Sequence, residues 1–267
     1  VGAWTWGGGW LSEMGFKDFA GSTIVHSVGG WAALTGAILL GARRGRFESN
    51  AKPLRGNSLP LITLGTFVLW FGWFGFNGGS QLSIATTADA IAVAKIMGNT
   101  NIAAAAGTIV AMLYFVFMRR RIDLTIVLNG ALAGLVAITA EPLLPTKMMA
   151  VGIGAAGALI MIATTLTLNK FKIDDVVGAV PVHLSCGIWG TIAVVFSNPE
   201  ASLATQLIGI GSVGLFMGIT SLLLWAFMKY TIGIRLHWSQ EDRGPDLCEL
   251  GVRAYYLEEE KITMSAS

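Results

Sequence analysis

Seven stretches of this chain, near residues 20–42, 59–80, 100–118, 123–142, 148–168, 176–197 and 204–230, run apolar with few charges. Each approaches the roughly 20 residues that a helix needs to cross a hydrocarbon core. The composition agrees: 54% of residues are hydrophobic and 13% charged, against about 45–50% and about 25% in soluble domains. Gly and Ala are scattered through all seven stretches, which predicts helices packed closely in one bundle. The expected fold class is therefore all-α, a polytopic membrane helical bundle. Residues 1–230 form its transmembrane domain, and the charged, turn-rich residues 231–267, with Gly244-Pro245-Asp246, form a tail outside it.

Basic residues orient such a bundle, because cytoplasmic connections retain Lys and Arg. One set of connections holds Arg43, Arg44, Arg46, Lys52, Arg55, Arg119, Arg120, Arg121, Lys170 and Lys172; the opposite set holds Lys17, Lys95 and Lys147. With seven spans, the start of the chain is expected outside and the tail in the cytoplasm. Lys229, Arg235, Arg243, Arg253 and Lys261 agree with that placement. Val1 opens without an initiator Met, so an upstream extension is expected. Cys186 and Cys248 lie far apart and imply no disulfide framework.

Within these spans the pattern Asp-x2-Gly-x3-Val-His-x3-Gly occurs twice, as Asp18, Gly21, Val25, His26, Gly30 and as Asp175, Gly178, Val182, His183, Gly187. The two copies carry two of the chain's 3 histidines. The first lies on a span running inward and the second on a span running outward, so the copies are inverted repeats. Each His follows its Asp by eight residues, about 12 Å along a helix. Both imidazoles should thus arrive near mid-membrane, as functional groups of inverted-repeat transporters do. The glycine one turn after each His would leave room for a neighbouring side chain.

A single membrane histidine can simply bridge two helices; duplication at one offset in inverted helices speaks for a shared role. Imidazoles donate on one side and accept on the other, so a pair could pass a small hydrogen-bonding solute or a proton through an apolar conduit. Two His without further ligands leave a transition metal under-coordinated. No metal, cofactor or nucleic-acid partner is expected. Asp18 and Asp175 stand where helix N-termini favour negative charge. A structural cap is the first choice for Asp175, and Asp18 on the outer face could also favour an approaching cation.

The run Asp18 to Leu34, DFAGSTIVHSVGGWAAL, resembles the signature of the Amt/Mep/Rh ammonium transporter family, on its Amt branch. Further similar runs follow in order: Trp4–Trp10, Gly72–Ser80, Asn129–Val136 and Val182–Gly187. The resemblance implies a bundle of eleven spans, of which this chain matches the C-terminal seven, assembled as a homotrimer in the cell membrane with one pore per subunit. It also implies ammonium or ammonia as cargo, His26 and His183 lining the pore, and Trp6 and Ser80 as the outer ammonium site. An indole face attracts a cation and a hydroxyl accepts one of its protons; without the family, Trp6 reads as an interfacial belt residue. Trp73 serves packing first and the pore wall second. A PII-type signal protein is the implied partner at the tail, although Gly244–Gly251 departs from the family's run there. The missing spans imply that these residues alone do not transport. A non-conducting ammonium sensor on the same scaffold is the alternative. An intramembrane enzyme built on Ser185 is the weaker one, since Ser185 points off the His183 face.

Overall fold

The computed structural model describes residues 1–49, 54 and 56–254; Lys52, Arg55 and Lys261, counted above, lie outside the described residues. No strand forms among them. Two short helices, α1 (Gly2–Thr5) and α2 (Trp10–Glu13), precede α3 (Val28–Leu40), α4 (Leu59–Gly79), α5 (Thr87–Phe117), α6 (Leu124–Ile138) and α7 (Lys147–Lys170). The chain continues through α8 (Cys186–Ala193), α9 (Leu203–Thr231) and α10 (Trp238–Arg243). π-helical turns at Ser22–Ser27 and Val180–Ser185 lead into α3 and α8.

Local chemistry sets where the long helices start. Ser58, Asp123 and Thr146 each accept a backbone N–H in the first turn of α4, α6 and α7, satisfying donors that a helix start leaves free. Thr86 and Asp89 form a reciprocal capping box on α5. That box starts α5 at Thr87, well before the expected residue 100, so Lys95 is an exposed helical residue and not part of a connection. The apolar-run reading missed these turns because Lys95, Asn99 and Asn101 interrupt the run.

Among the described residues five helical segments are long and apolar enough to cross a membrane: Ser22–Leu40, α4, α5, α7 and α9. The other two expected spans are shorter apolar helices, Leu124–Ile138 and Val180–Phe196. The 15 residues of α6 rise only about 22 Å. It ends early because the following backbone is used elsewhere: Phe19 N–H bonds Ala140 O at 2.8 Å and Ala20 N–H bonds Thr139 O at 3.0 Å. Pro142 then removes a donor that continuation would need.

Small residues bring the central helices together. A Cβ on Gly107, Gly134 or Gly154 would collide with the backbone of Gly130 or Ala103, so α5, α6 and α7 approach backbone to backbone. On the other side α3 packs on α9, with Trp225 against Gly36 and Trp31 against Gly214. The outer faces carry exposed Phe71, Leu215, Leu223 and Phe227, the apolar surface that a lipid environment requires.

Candidate functional site

Both copies of the repeated motif fold into the same device. Asp18 is buried, and its carboxylate accepts the N–H groups of Gly21 (3.2 Å), Ser22 (2.8 Å), Thr23 (2.9 Å) and Ile24 (2.9 Å). Asp175 accepts those of Gly178 (3.0 Å), Ala179 (3.0 Å) and Val180 (2.7 Å). The glycines at the motif's fourth position have φ of 111° (Gly21) and 79° (Gly178), a left-handed turn that a side chain would strain. Each Asp thus caps a π-helical turn, a form that concentrates at functional sites. Asp18 turns its oxygens toward its own backbone and not toward solvent.

The last glycine of each motif seats the other copy. A Cβ on Gly30 would stand 2.5 Å from Leu184 N, and one on Gly187 would strike Ser22 O and stand 2.6 Å from Ser27 Oγ. The space beside each glycine is therefore filled by the partner repeat's backbone, where the spacing suggested a side chain. Ser27 Oγ donates to Leu184 O at 3.4 Å across the same crossing, and Thr23 and Thr191 hydroxyls meet at 2.6 Å.

This crossing brings the histidines together. His26 Nδ1 and His183 Nδ1 are 3.2 Å apart, with ring planes 19° apart. If both rings are neutral, one Nδ1 carries hydrogen and the other accepts it, which leaves one Nε2 protonated and the other bare. His26 Nε2 is buried without a hydrogen-bond partner, an arrangement that is costly unless something polar visits it. Trp73 stacks on His26 at 4.9 Å and 16°, and Phe76 lies at 5.4 Å. Trp73 Nε1 is itself held by Thr139 Oγ1 at 2.9 Å. Trp73 therefore belongs to the core, at 6% exposure, and also forms a wall of the histidine site.

Trp6 and Ser80 lie toward the end of the bundle where Asp18 starts its span. Trp6 is 52% exposed and its Nε1 donates to Asp18 O at 2.9 Å. Ser80 caps the end of α4 and spends its proton on Phe76 O at 2.8 Å, leaving oxygen lone pairs to accept. Among the described residues no hydrogen bond joins Trp6 to Ser80. Ser80 is linked to the histidine site through Phe76, whose ring lies 5.4 Å from His26; Trp6 is bonded to Asp18, the cap of the turn that carries His26. Sequence reasoning did not single out Phe76 or Thr139; the signal for Phe76 was its spacing of three from Trp73.

From His183 a cavity of about 640 Å³ opens toward the opposite end, past Pro181, Asn129, Asp175 and Asp123 to Arg43 and Arg46. Its rim is fixed by charge. Arg43 Nε and Nη2 donate to Asp174 at 2.7 and 3.0 Å, and Arg46 Nε is 3.4 Å from the same carboxylate. Burial works against ionising Asp174, yet these Arg43 hydrogen bonds hold its carboxyl below the usual range. The rim also carries the tail: Arg44 pairs with Asp242 at 3.1 Å and lies over Trp238, while Glu241 accepts Arg44 N–H and Arg235.

The sequence matches the model of the Ammonium Transporter Family over residues 1–255. It is 42% identical over 255 residues to a Synechocystis protein named for ammonium transport, covering 94% of this chain and 58% of that one. It is 40% identical over 287 residues to the ammonium transporter Amt2 of Archaeoglobus fulgidus, covering 95% and 60%. The chain thus spans less than two thirds of the length of these relatives. Among solved structures it superposes on a sensor Amt protein with a TM-score of 0.84 at 36% identity, covering 90% of this chain and 62% of that one. For Candida albicans Mep2 the TM-score is 0.77 at 29% identity, covering 88% and 56%.

Proposed function

The chain belongs to the ammonium transporter family, and we propose that its paired histidines conduct ammonia drawn from ammonium at the outer mouth. The observation that carries this reading is the 3.2 Å Nδ1 contact between inverted repeats, with His26 Nε2 buried and unpartnered. Ammonium, attracted to the face of Trp6 and the oxygen of Ser80, cannot enter an apolar conduit intact, because stripping its water is too costly. It gives up one proton, which passes along the hydrogen-bonded imidazoles, while neutral ammonia moves on and takes a proton again beyond His183, so one charge crosses with each ammonia. Ammonia offers both a lone pair and N–H donors, so it can bond to the bare Nε2 of one ring and the protonated Nε2 of the other. Potassium has no proton to lose and is rejected on the same physics. Asp18 and Asp175 support the site as caps and Trp73 as a wall; neither metal nor cofactor takes part.

The same reading places the protein in the cell membrane as a homotrimer, with residues 1–230 as the transporting domain and residues 231–267 as a cytoplasmic tail. A PII-type signal protein is the proposed partner class at that tail. The family match supports a transporter over an enzyme, and Ser185 Oγ, the nucleophile an enzyme would need, accepts Thr164 Oγ1 at 2.9 Å with no hydrogen bond to a base among the described residues.

The resemblance to a protein described as a sensor supports a second reading, in which ammonium binds and is not passed on. Proteoliposomes of the full-length protein decide between them. Ammonium-dependent current or lumenal pH change, with no response to potassium, is the expected result. Saturable ammonium binding without flux would replace transport by sensing.

A further inference from the structure

Gln206 stands in the first turn of α9, its backbone N–H on Ser202 O at 3.0 Å, and it is fully buried. An amide taken out of water is costly unless it is bonded, and here the oxygen and the nitrogen are both used. The oxygen accepts Lys17 N–H at 2.9 Å, while the nitrogen donates to Lys17 O at 2.7 Å and to Thr191 O at 2.9 Å. Turned over, the amide would set NH2 against an N–H and its oxygen against two carbonyls, so the partners fix its orientation. Three residues further along α9, the Phe16 ring occupies the place that a Cβ on Gly209 would take. The segment that leads into Asp18 is thus seated on α9 twice.

α9 belongs to neither copy of the repeated motif, yet Gln206 holds both. Lys17 precedes Asp18 of the first copy, and Thr191 lies four residues after Gly187 of the second. The Lys17 carbonyl shares a rigid peptide plane with the nitrogen of Asp18, so the amide fixes the peptide from which Asp18 continues. Asp18 O then receives Trp6 Nε1 at 2.9 Å, and a Cβ on Gly21 would stand 3.2 Å from the Trp6 ring. The indole is therefore hung on the stretch that Gln206 anchors. Two other contacts nearby offer a contrast. The Lys17–Glu200 ion pair, 3.0 Å long, is exposed and contributes little. Ser221 of α9 meets Thr35 Oγ1 at 3.0 Å and serves the α3–α9 seam alone.

We propose that Gln206 is a positioning residue for the outer ammonium site, setting the face that Trp6 offers to an incoming cation through the Lys17–Asp18 peptide. The inference rests on the reading of Trp6 as that site. A misplaced indole loses cation–π attraction, about fivefold in binding for a half-exposed ring. Conduction past the histidines, once ammonium has entered, does not pass through this amide.

Ammonium current against concentration, recorded in proteoliposomes of the full-length protein, tests it; should ammonium bind without flux, its dissociation constant takes the place of KM. Gln206→Met, of similar length and without hydrogen bonds, should raise KM about fivefold at a maximal current within about twofold of the parent. Gln206→Glu, whose protonated carboxyl can accept Lys17 N–H and donate to one carbonyl, should fall between the two, and it carries the test if the Met variant does not fold. Ser221→Ala should lower the melting temperature without moving KM, and Glu200→Gln should move neither. In a Trp6→Leu background, itself about fivefold weaker, Gln206→Glu should add nothing, because both changes act on one ring. An unchanged KM in folded Gln206→Glu, or an effect that adds in full to Trp6→Leu, would overturn the proposal. An unchanged KM in Trp6→Leu alone would instead overturn the outer site itself, and this inference with it.

Discussion

The two copies of the motif share one backbone device and differ in their surroundings. Around His26 the first copy is closed: Asp18 is 3% exposed and His26 8%, and Trp73 and Phe76 cover the ring. The second copy opens, since His183 and Asp175 line the cavity that leads to Arg43 and Arg46. Equal local geometry with unequal cover means that the repeat supplies the crossing, and the surrounding helices decide which imidazole is sheltered and which faces an exit.

The crossing itself is the largest target. Gly187→Ala forces a methyl into Ser22 O and Ser27 and should destabilise the protein by about 3 kcal/mol. Gly29→Ala, with nothing within 4 Å, should leave the melting temperature in detergent unchanged. A tolerated Gly187→Ala would show that the repeats do not need this approach. Next comes the contrast in cover. Asp18→Asn weakens a cap of four buried N–H groups and should cost about 2 kcal/mol, against about 1 kcal/mol for Asp175→Asn, which caps three. Equal losses in thermal unfolding would remove the distinction between a closed and an open copy.

The rim of the open copy should respond to acid. Asp174 is held below the ordinary carboxylate value near 3.9, so its contribution is complete above about pH 4 and fades as pH falls through the depressed native value. Melting temperature should fall with acid in that window for the parent and less for Asp174→Asn. An identical acid limb in both would place the titrating group elsewhere. The smallest effect belongs to the wall of the closed copy: Thr139→Val removes the partner of Trp73 Nε1 and should cost about 1 kcal/mol, with a shift in tryptophan emission.

Much of this was legible in the sequence, for physical reasons that can be named. Asp18 and Asp175 had to precede their histidines by a fixed offset, and a carboxylate before a small-residue turn reads as a cap. The family was equally visible in the runs around His26 and His183. The π-helical turns were hidden, because Ser22–Ser27 and Val180–Ser185 carry the same apolar pattern an α-helix would. The early end of α6 was hidden too, since its cause is pairing of Thr139 and Ala140 with Ala20 and Phe19, 119 to 121 residues away. Composition sees a run of apolar residues; it does not see which distant backbone claims their carbonyls. Trp73 read as packing first, and the fold gives one ring both tasks because its face and its N–H serve different neighbours.

In the proposed route ammonia passes along the Nε2 edges of two imidazoles held in contact by crossed repeats. Single replacement of His26 and of His183 by Ala in the full-length protein, with ammonium-driven and potassium-driven current recorded in the same proteoliposomes, is the decisive test. Each variant should lose ammonium current by at least tenfold or begin to admit potassium, because the one remaining Nε2 offers the conduit a donor or an acceptor and not both at once. Ammonium current that keeps its size and its discrimination against potassium in both variants would contradict it.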